Sequence, residues 1–232
     1  MNVLLNKKAE TKNIIGIVGI LLLLFCLSLI GSNAFLNLPG LQKLNETIYF
    51  VSRLLNWACL LLLLLYVSKI EKQSLLIWRE KKYQFLSYFI SIIGIFIILI
   101  VGGFIIQILL SLMGYNAKSA MLFEIVALLK INKPLLVFTA LTAGIVEELI
   151  FRGYMLPRLA NIFKSPFLGI AVSSILFGLL HYKYGTIFNV VVPIFIGAVF
   201  AYYYWKYRNI KVLIFCHFLW DLVSLFLILR GY

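Results

Sequence analysis

Residues 85–112 read FLSYFISIIGIFIILIVGGFIIQILLSL, with no charged side chain anywhere in the run. A helix crosses the hydrocarbon core of a bilayer with about 20 mostly apolar residues, so this stretch spans a membrane with length to spare. Outward from it the pattern repeats. Apolar runs occupy residues 14–30 and 48–67 on one side, and 166–182, 187–205 and 212–229 on the other. Another starts after Pro134 and continues past Phe151. Residues 121–129 are too short to span and are expected at an interface. The expected fold class is all-α, a polytopic transmembrane helical bundle of about seven spans.

Composition agrees. Hydrophobic residues make up 63% of the chain and charged residues 12%, whereas a soluble domain is about a quarter charged. The net charge of +13 does not point to nucleic acid, because the basic residues are scattered through short inter-helix segments and form no single soluble face. Cytoplasmic loops of membrane proteins are enriched in Lys and Arg. With the N-terminus inside, Lys7, Lys8, Lys12, Lys69, Lys72, Arg79, Lys81, Lys82, Arg152, Arg158, Lys164, Lys206, Arg208 and Lys211 fall on that side. The expected location is the cell membrane, multi-pass, with a cytoplasmic N-terminus and lipid as a partner. Arg53 lies inside a span and was set aside in that count. Ser32, Asn33 and Ala34 loosely resemble a signal-peptide cleavage site, but the preceding apolar run is longer than an ordinary h-region, which favours a retained anchor. Cys26, Cys59 and Cys216 sit in apolar runs with no CxxC spacing, so no disulfide framework is expected.

Ionisable groups inside a membrane are costly and mark function by default. Of eight acidic residues, Glu147, Glu148 and Asp221 sit within or beside apolar spans, and Asp221 is the sole aspartate. Glu10, Glu46, Glu71 and Glu80 are read as loop residues, and Glu124 flanks the short stretch. Both histidines, His181 and His217, lie in apolar context. Residues four apart share a helix face, which pairs His217 with Asp221, Glu148 with Arg152 and Phe177 with His181. Glu148–Arg152 then reads as a structural ion pair, leaving Glu147 as the freer carboxylate. Counting from Lys164, Glu147 and His181 lie equally far along two antiparallel helices, and His217 lies near the turn at Asn209. That placement opens the site toward the cytoplasmic, basic end.

The string Glu147-Glu148-Leu149-Ile150-Phe151-Arg152 matches an EExxxR motif, Phe177 to His181 an FxxxH motif, and His217 to Asp221 an HxxxN/D motif. Three such motifs in this order resemble the CPBP intramembrane proteases, the CAAX-protease and bacteriocin-processing family. The resemblance covers roughly residues 134–225, so 134–232 is expected as the catalytic core and 1–133 as N-terminal spans of undefined role. It implies peptide-bond hydrolysis within the membrane, on a peptide or protein substrate. Carried over, Glu147 and His181 activate water, and His217 and Asp221 form the oxyanion side. Glu148, Arg152 and Phe177 give structural support. The family often has Asn where this chain has Asp221.

Amide hydrolysis needs an activated water, a proton for the leaving amine and stabilisation of an oxyanion, and a carboxylate with two imidazoles supplies all three. No GxSxG elbow and no HExxH motif is present. A metal-free site is favoured, with Zn²⁺ held by Glu147, His181 and His217 as the alternative. Two rival functions share these residues: a non-catalytic immunity factor or scaffold of the same fold, and an ion-coupled transporter, for which no repeat of hydrophobic segments is found.

Overall fold

The helix boundaries follow from local chemistry. Asn45, Ser119, Asn132 and Ser165 each accept a hydrogen bond from a backbone N–H three residues on, which satisfies one of the orphan donors at a helix start. Pro134 and Pro166 stand in first turns, where no N–H is required. The computed structural model describes residues 2–29, 44–115 and 118–230; the cleavage-like residues 32–34 lie outside them. Among the described residues there are eight helices and no strand. They are α1 (Asn2–Leu29), α2 (Glu46–Tyr66), α3 (Phe85–Leu112), α4 (Ala120–Ile131), α5 (Lys133–Ile162), α6 (Pro166–Leu179), α7 (Phe188–Tyr207) and α8 (Ile210–Arg230).

All but α4 are long and apolar enough to cross a membrane, giving seven spans. The protein is a multi-pass membrane protein. Its burial is inverted relative to a soluble domain: α3 shows apolar side chains such as Phe104 and Ile100 to the outside, while α5 is the most enclosed span, 61% buried over its apolar window. The short α4 packs Ile125, Val126 and Leu129 against Tyr49 of α2 and Leu136 of α5. It does not span.

Two ends of the bundle can be told apart. At one, Lys12 donates to the carbonyl of Ile70, Tyr83 donates to that of Tyr207, and Lys81 N–H bonds the Arg208 carbonyl. This end gathers the start of α1, the end of α2 and the α5–α6 and α7–α8 turns, and with them most of the basic residues. At the other end Asn132 donates to Glu46, and Ser119 donates to the carbonyl of Tyr184.

Glu71 and Arg158 depart from the expected loop positions. Both are buried, in a clamp between α2 and α5 at the basic end. Arg158 Nε and Nη2 donate to Glu71 Oε2 at 3.0 and 2.7 Å, and the Tyr154 hydroxyl donates to Oε1 at 2.6 Å. The remaining Arg158 donors reach the carbonyls of Leu75, Tyr154 and Ser74. Every guanidinium N–H is thus used, which is what lets a charge sit there at all. The sequence could not show this, because Glu71 and Arg158 are 87 residues apart. Removing one partner leaves the other charged and buried, at a cost of about 3–5 kcal/mol. Arg158→Met is therefore expected to lower the thermal unfolding midpoint of the detergent-purified protein sharply; an unchanged midpoint contradicts the clamp.

Candidate active site

Helix α5 is not uniform. It carries π-helical turns at Ala143–Glu147 and Leu149–Met155, where hydrogen bonds run to the fifth residue, as from Leu156 N–H to the Phe151 carbonyl. The wide register ends just before Pro157, which has no N–H to place. A wider turn separates successive side chains by a smaller angle, so Glu147 and Glu148 diverge less than in an α-helix and both reach α8. Such π segments are rare and are found frequently at functional sites.

Glu148 is fully buried. Its Oε1 accepts from Arg152 Nη1 at 2.6 Å and lies 2.7 Å from His217 Nδ1. The four-residue spacing of Glu148 and Arg152 thus makes an ion pair, and the same carboxylate also holds His217, a contact that spacing alone does not reveal. With Nδ1 donating to Glu148, Nε2 of His217 faces Glu147 Oε2 at 4.0 Å and Asp221 Oδ2 at 3.8 Å. Those separations are too long for direct hydrogen bonds and suit a water or a substrate oxygen between the groups. Glu147 and Asp221 are about a quarter to a third exposed, at 27% and 31% of their side chains, unlike Glu148 at 0%.

Phe177 is the hub behind these groups. Its ring lies 5.0 Å from that of Phe151, 5.0 Å from His181 and 6.0 Å from His217. The Arg152 guanidinium sits over it at 4.4 Å and over Phe200 at 5.4 Å, a cation–π arrangement that keeps the guanidinium in place. His181 stands at the end of α6 with Nδ1 2.9 Å from the Phe177 carbonyl. That acceptor requires a proton on Nδ1 and leaves Nε2 with its lone pair in the neutral ring.

Glu147, His181, Phe151 and Phe177 line one cavity of about 70 Å³, space for water molecules. The remaining walls come from outside the C-terminal motifs: Arg53 and Asn56 of α2, the end of α1 at Leu24, Leu27 and Ser28, and the turn at Lys183 and Tyr184. The N-terminal spans therefore help build the site. These walls also correct the expected opening. They belong to the end of the bundle where α1 and α6 finish and α2 begins, opposite the basic turns. His217 lies nearer the Asn209 turn, whereas His181 sits at the far end of α6, and the cavity lies on the His181 side.

The Zn²⁺ set does not assemble. Among the described residues no three His, Cys, Asp or Glu side chains converge as ligands for one ion. Sequence reasoning missed Arg53, Asn56, Lys183 and Tyr184. Arg53 did carry a signal, a cation inside an apolar run.

Residues 130–223 match the family model described as type II CAAX prenyl endopeptidase Rce1-like. The match bears out the resemblance to the CPBP family and covers all three motifs. No curated protein and no solved structure matches the chain.

The contact between α5 and α8 depends on Gly144. A Cβ there meets the Ile214 carbonyl oxygen at 2.8 Å and the Phe218 nitrogen at 2.9 Å, both backbone atoms. At Gly153 the corresponding contact at 2.7 Å is the end of the Leu76 side chain, which can turn away. Gly144→Ala should push the helices apart, costing about 1–3 kcal/mol of stability and carrying Glu148 away from His217. Gly153→Ala should be mild. Equal midpoints and equal peptide cleavage for the two purified variants would show that the close approach is not needed.

Proposed function

Taking the family match at residues 130–223 as the premise, we propose that the protein is an intramembrane endopeptidase that hydrolyses peptide bonds of membrane-associated peptides or proteins with a Glu/His-activated water. The observation that carries this is the shared cavity: the exposed carboxylate of Glu147 and the imidazole of His181 line it together, and His217 Nε2 stands 4.0 Å from Glu147. Orientation follows the positive-inside rule, with the basic end in the cytoplasm and the N-terminus there.

Glu147 accepts a proton from water as the oxygen attacks the scissile carbonyl carbon, with His181 Nε2 as second acceptor. The carbonyl π electrons move to oxygen, and the oxyanion accepts from Nε2–H of a doubly protonated His217, whose Nδ1–H donates to Glu148. Collapse re-forms the carbonyl and breaks the C–N bond, and the proton taken from water leaves on the amine. Every group in this sequence belongs to the chain, and no step needs a metal.

Removing a general base costs about 10²–10⁴-fold in rate. Glu147→Gln is therefore expected to purify as the wild type does while losing cleavage of a membrane-reconstituted peptide substrate by that factor. Near wild-type cleavage removes Glu147 from the role.

Asp221 has two possible duties. As a carboxylate 3.8 Å from His217 Nε2 it fixes the imidazole electrostatically; as a neutral acid it donates to the oxyanion itself. Asparagine donates but brings no charge. Asp221→Asn is expected to keep substantial activity and Asp221→Ala to lose most of it. Loss in both, with folding intact, assigns the duty to the charge; retention in both makes Asp221 a packing residue.

A further inference from the structure

The cavity holds more positive than negative charge. Arg53, from α2, and Lys183, in the turn two residues after His181, line it with one carboxylate, Glu147. Neither cation forms an ion pair among the described residues, where the pairs involve Arg152, Arg158 and His217. Arg53 Nε donates to the neighbouring Ser52 hydroxyl at 3.3 Å, and its guanidinium lies 5.0 Å over the Tyr49 ring. Lys183 Nζ lies 5.3 Å from the Tyr184 ring. These contacts position the two heads without neutralising them.

The contrast within the molecule is informative. Arg152 and Arg158, the guanidiniums buried in the bundle, are each tied to a glutamate, whereas Arg53 is only partly buried. Arg53 keeps Nη1 and Nη2 without an acceptor among the described residues, and it does so in the wall of the cavity. A planar fork with two free donors is suited to a carboxylate, which it grips bidentately. An ammonium nearby adds a second charge of the same sign. An ionisable residue kept unpaired within a membrane span is a functional-site candidate by default.

We propose that Arg53 and Lys183 form a carboxylate-binding subsite beside Glu147 and His181, which selects substrates presenting a carboxylate, either a free C-terminus or an acidic side chain, within a few residues of the cleaved internal bond. This rests on the endopeptidase reading for its consequence in cleavage, but binding at the subsite does not require that reading. Arg53 is then a specificity residue that touches substrate and takes no proton.

The test uses the full chain in detergent and one fluorophore-labelled apolar peptide made in three forms: free C-terminus, C-terminal amide, and C-terminal amide with one internal glutamate. Binding is read by anisotropy on Glu147→Gln protein with and without Arg53→Gln, and cleavage on protein with native Glu147. The free acid or the glutamate form is expected to bind roughly ten- to a hundredfold more tightly than the plain amide, the span of a charge-assisted hydrogen bond. Which of the two binds identifies the source of the carboxylate. Arg53→Gln should erase that preference and raise KM for the carboxylate peptide with little change in kcat, leaving the amide unaffected. Arg53→Lys should restore part of it. Lys183→Gln, in the turn after α6, should show the same trend if Arg53→Gln is poorly folded. Equal binding of all three peptides, or equal loss by acid and amide in the Arg53 and Lys183 variants, overturns the subsite. Preferential binding without cleavage by wild-type protein leaves the subsite standing and removes the endopeptidase; cleavage without preference does the reverse.

Discussion

One carboxylate oxygen organises the centre of this protein. Glu148 Oε1 is shared by Arg152 Nη1 and His217 Nδ1, and the residue is buried completely. An isolated charge at that depth would be prohibitive, so the arginine is a condition for the glutamate. The glutamate in turn fixes the plane of the imidazole. The arrangement is not optimised for stability alone, since Glu148 Oε2 and Arg152 Nη2 are both left without a partner, and a buried pair is commonly no more stabilising than well-packed apolar residues. What it supplies is position: α5, α8 and, through the Arg152 contact with Phe177, α6 are locked in one relation.

That relation constrains the backbone as well. The close approach of α5 and α8 at Gly144 brings Glu148 within reach of His217, and Glu147, at the end of the first π turn, faces the same histidine. In lipid the cost of the irregular register is contained, because α5 is the span most enclosed by its neighbours and its polar groups face protein. The apolar outer surfaces of α3 and α1 face the acyl chains and carry no such demand.

The fold class was legible in the apolar runs, because a bilayer imposes length and hydrophobicity on every span. The seven spans and the non-spanning α4 follow from that alone. Helix ends were less legible: the apolar run that continues past Phe151 gave no end point, and α5 extends to Ile162 with Arg152 and Arg158 kept inside by pairing with Glu148 and Glu71. Four-residue spacing made Glu148–Arg152 readable, since both sit on one helix. It could not show that Glu148 also holds His217, or that Glu71 holds Arg158, because those contacts join residues 69 and 87 positions apart. The π register of α5 left no signal that hydrophobic periodicity detects. The direction of the cavity was misread for a related reason: depth counted along one helix at a time omits the walls that α1 and α2 contribute.

Those walls change how the charge of the chain is understood. Most of the basic residues gather at one end of the bundle, where the positive-inside rule accounts for them and where Arg158 and Lys12 also brace α1, α2 and α5. Arg53 and Lys183 lie in the opposite half, so topology does not explain them. Ion pairing does not explain them either: among the described residues neither is paired with an acid, Glu148 being held by Arg152 and His217 while Glu147 and Asp221 lie 4.0 and 3.8 Å from His217 Nε2. The molecule has thus separated its intramembrane charge into an acidic cluster gathered about one imidazole and a cationic wall across a small cavity. A negatively charged group entering that cavity meets a field with a direction, from the acidic cluster toward Arg53 and Lys183.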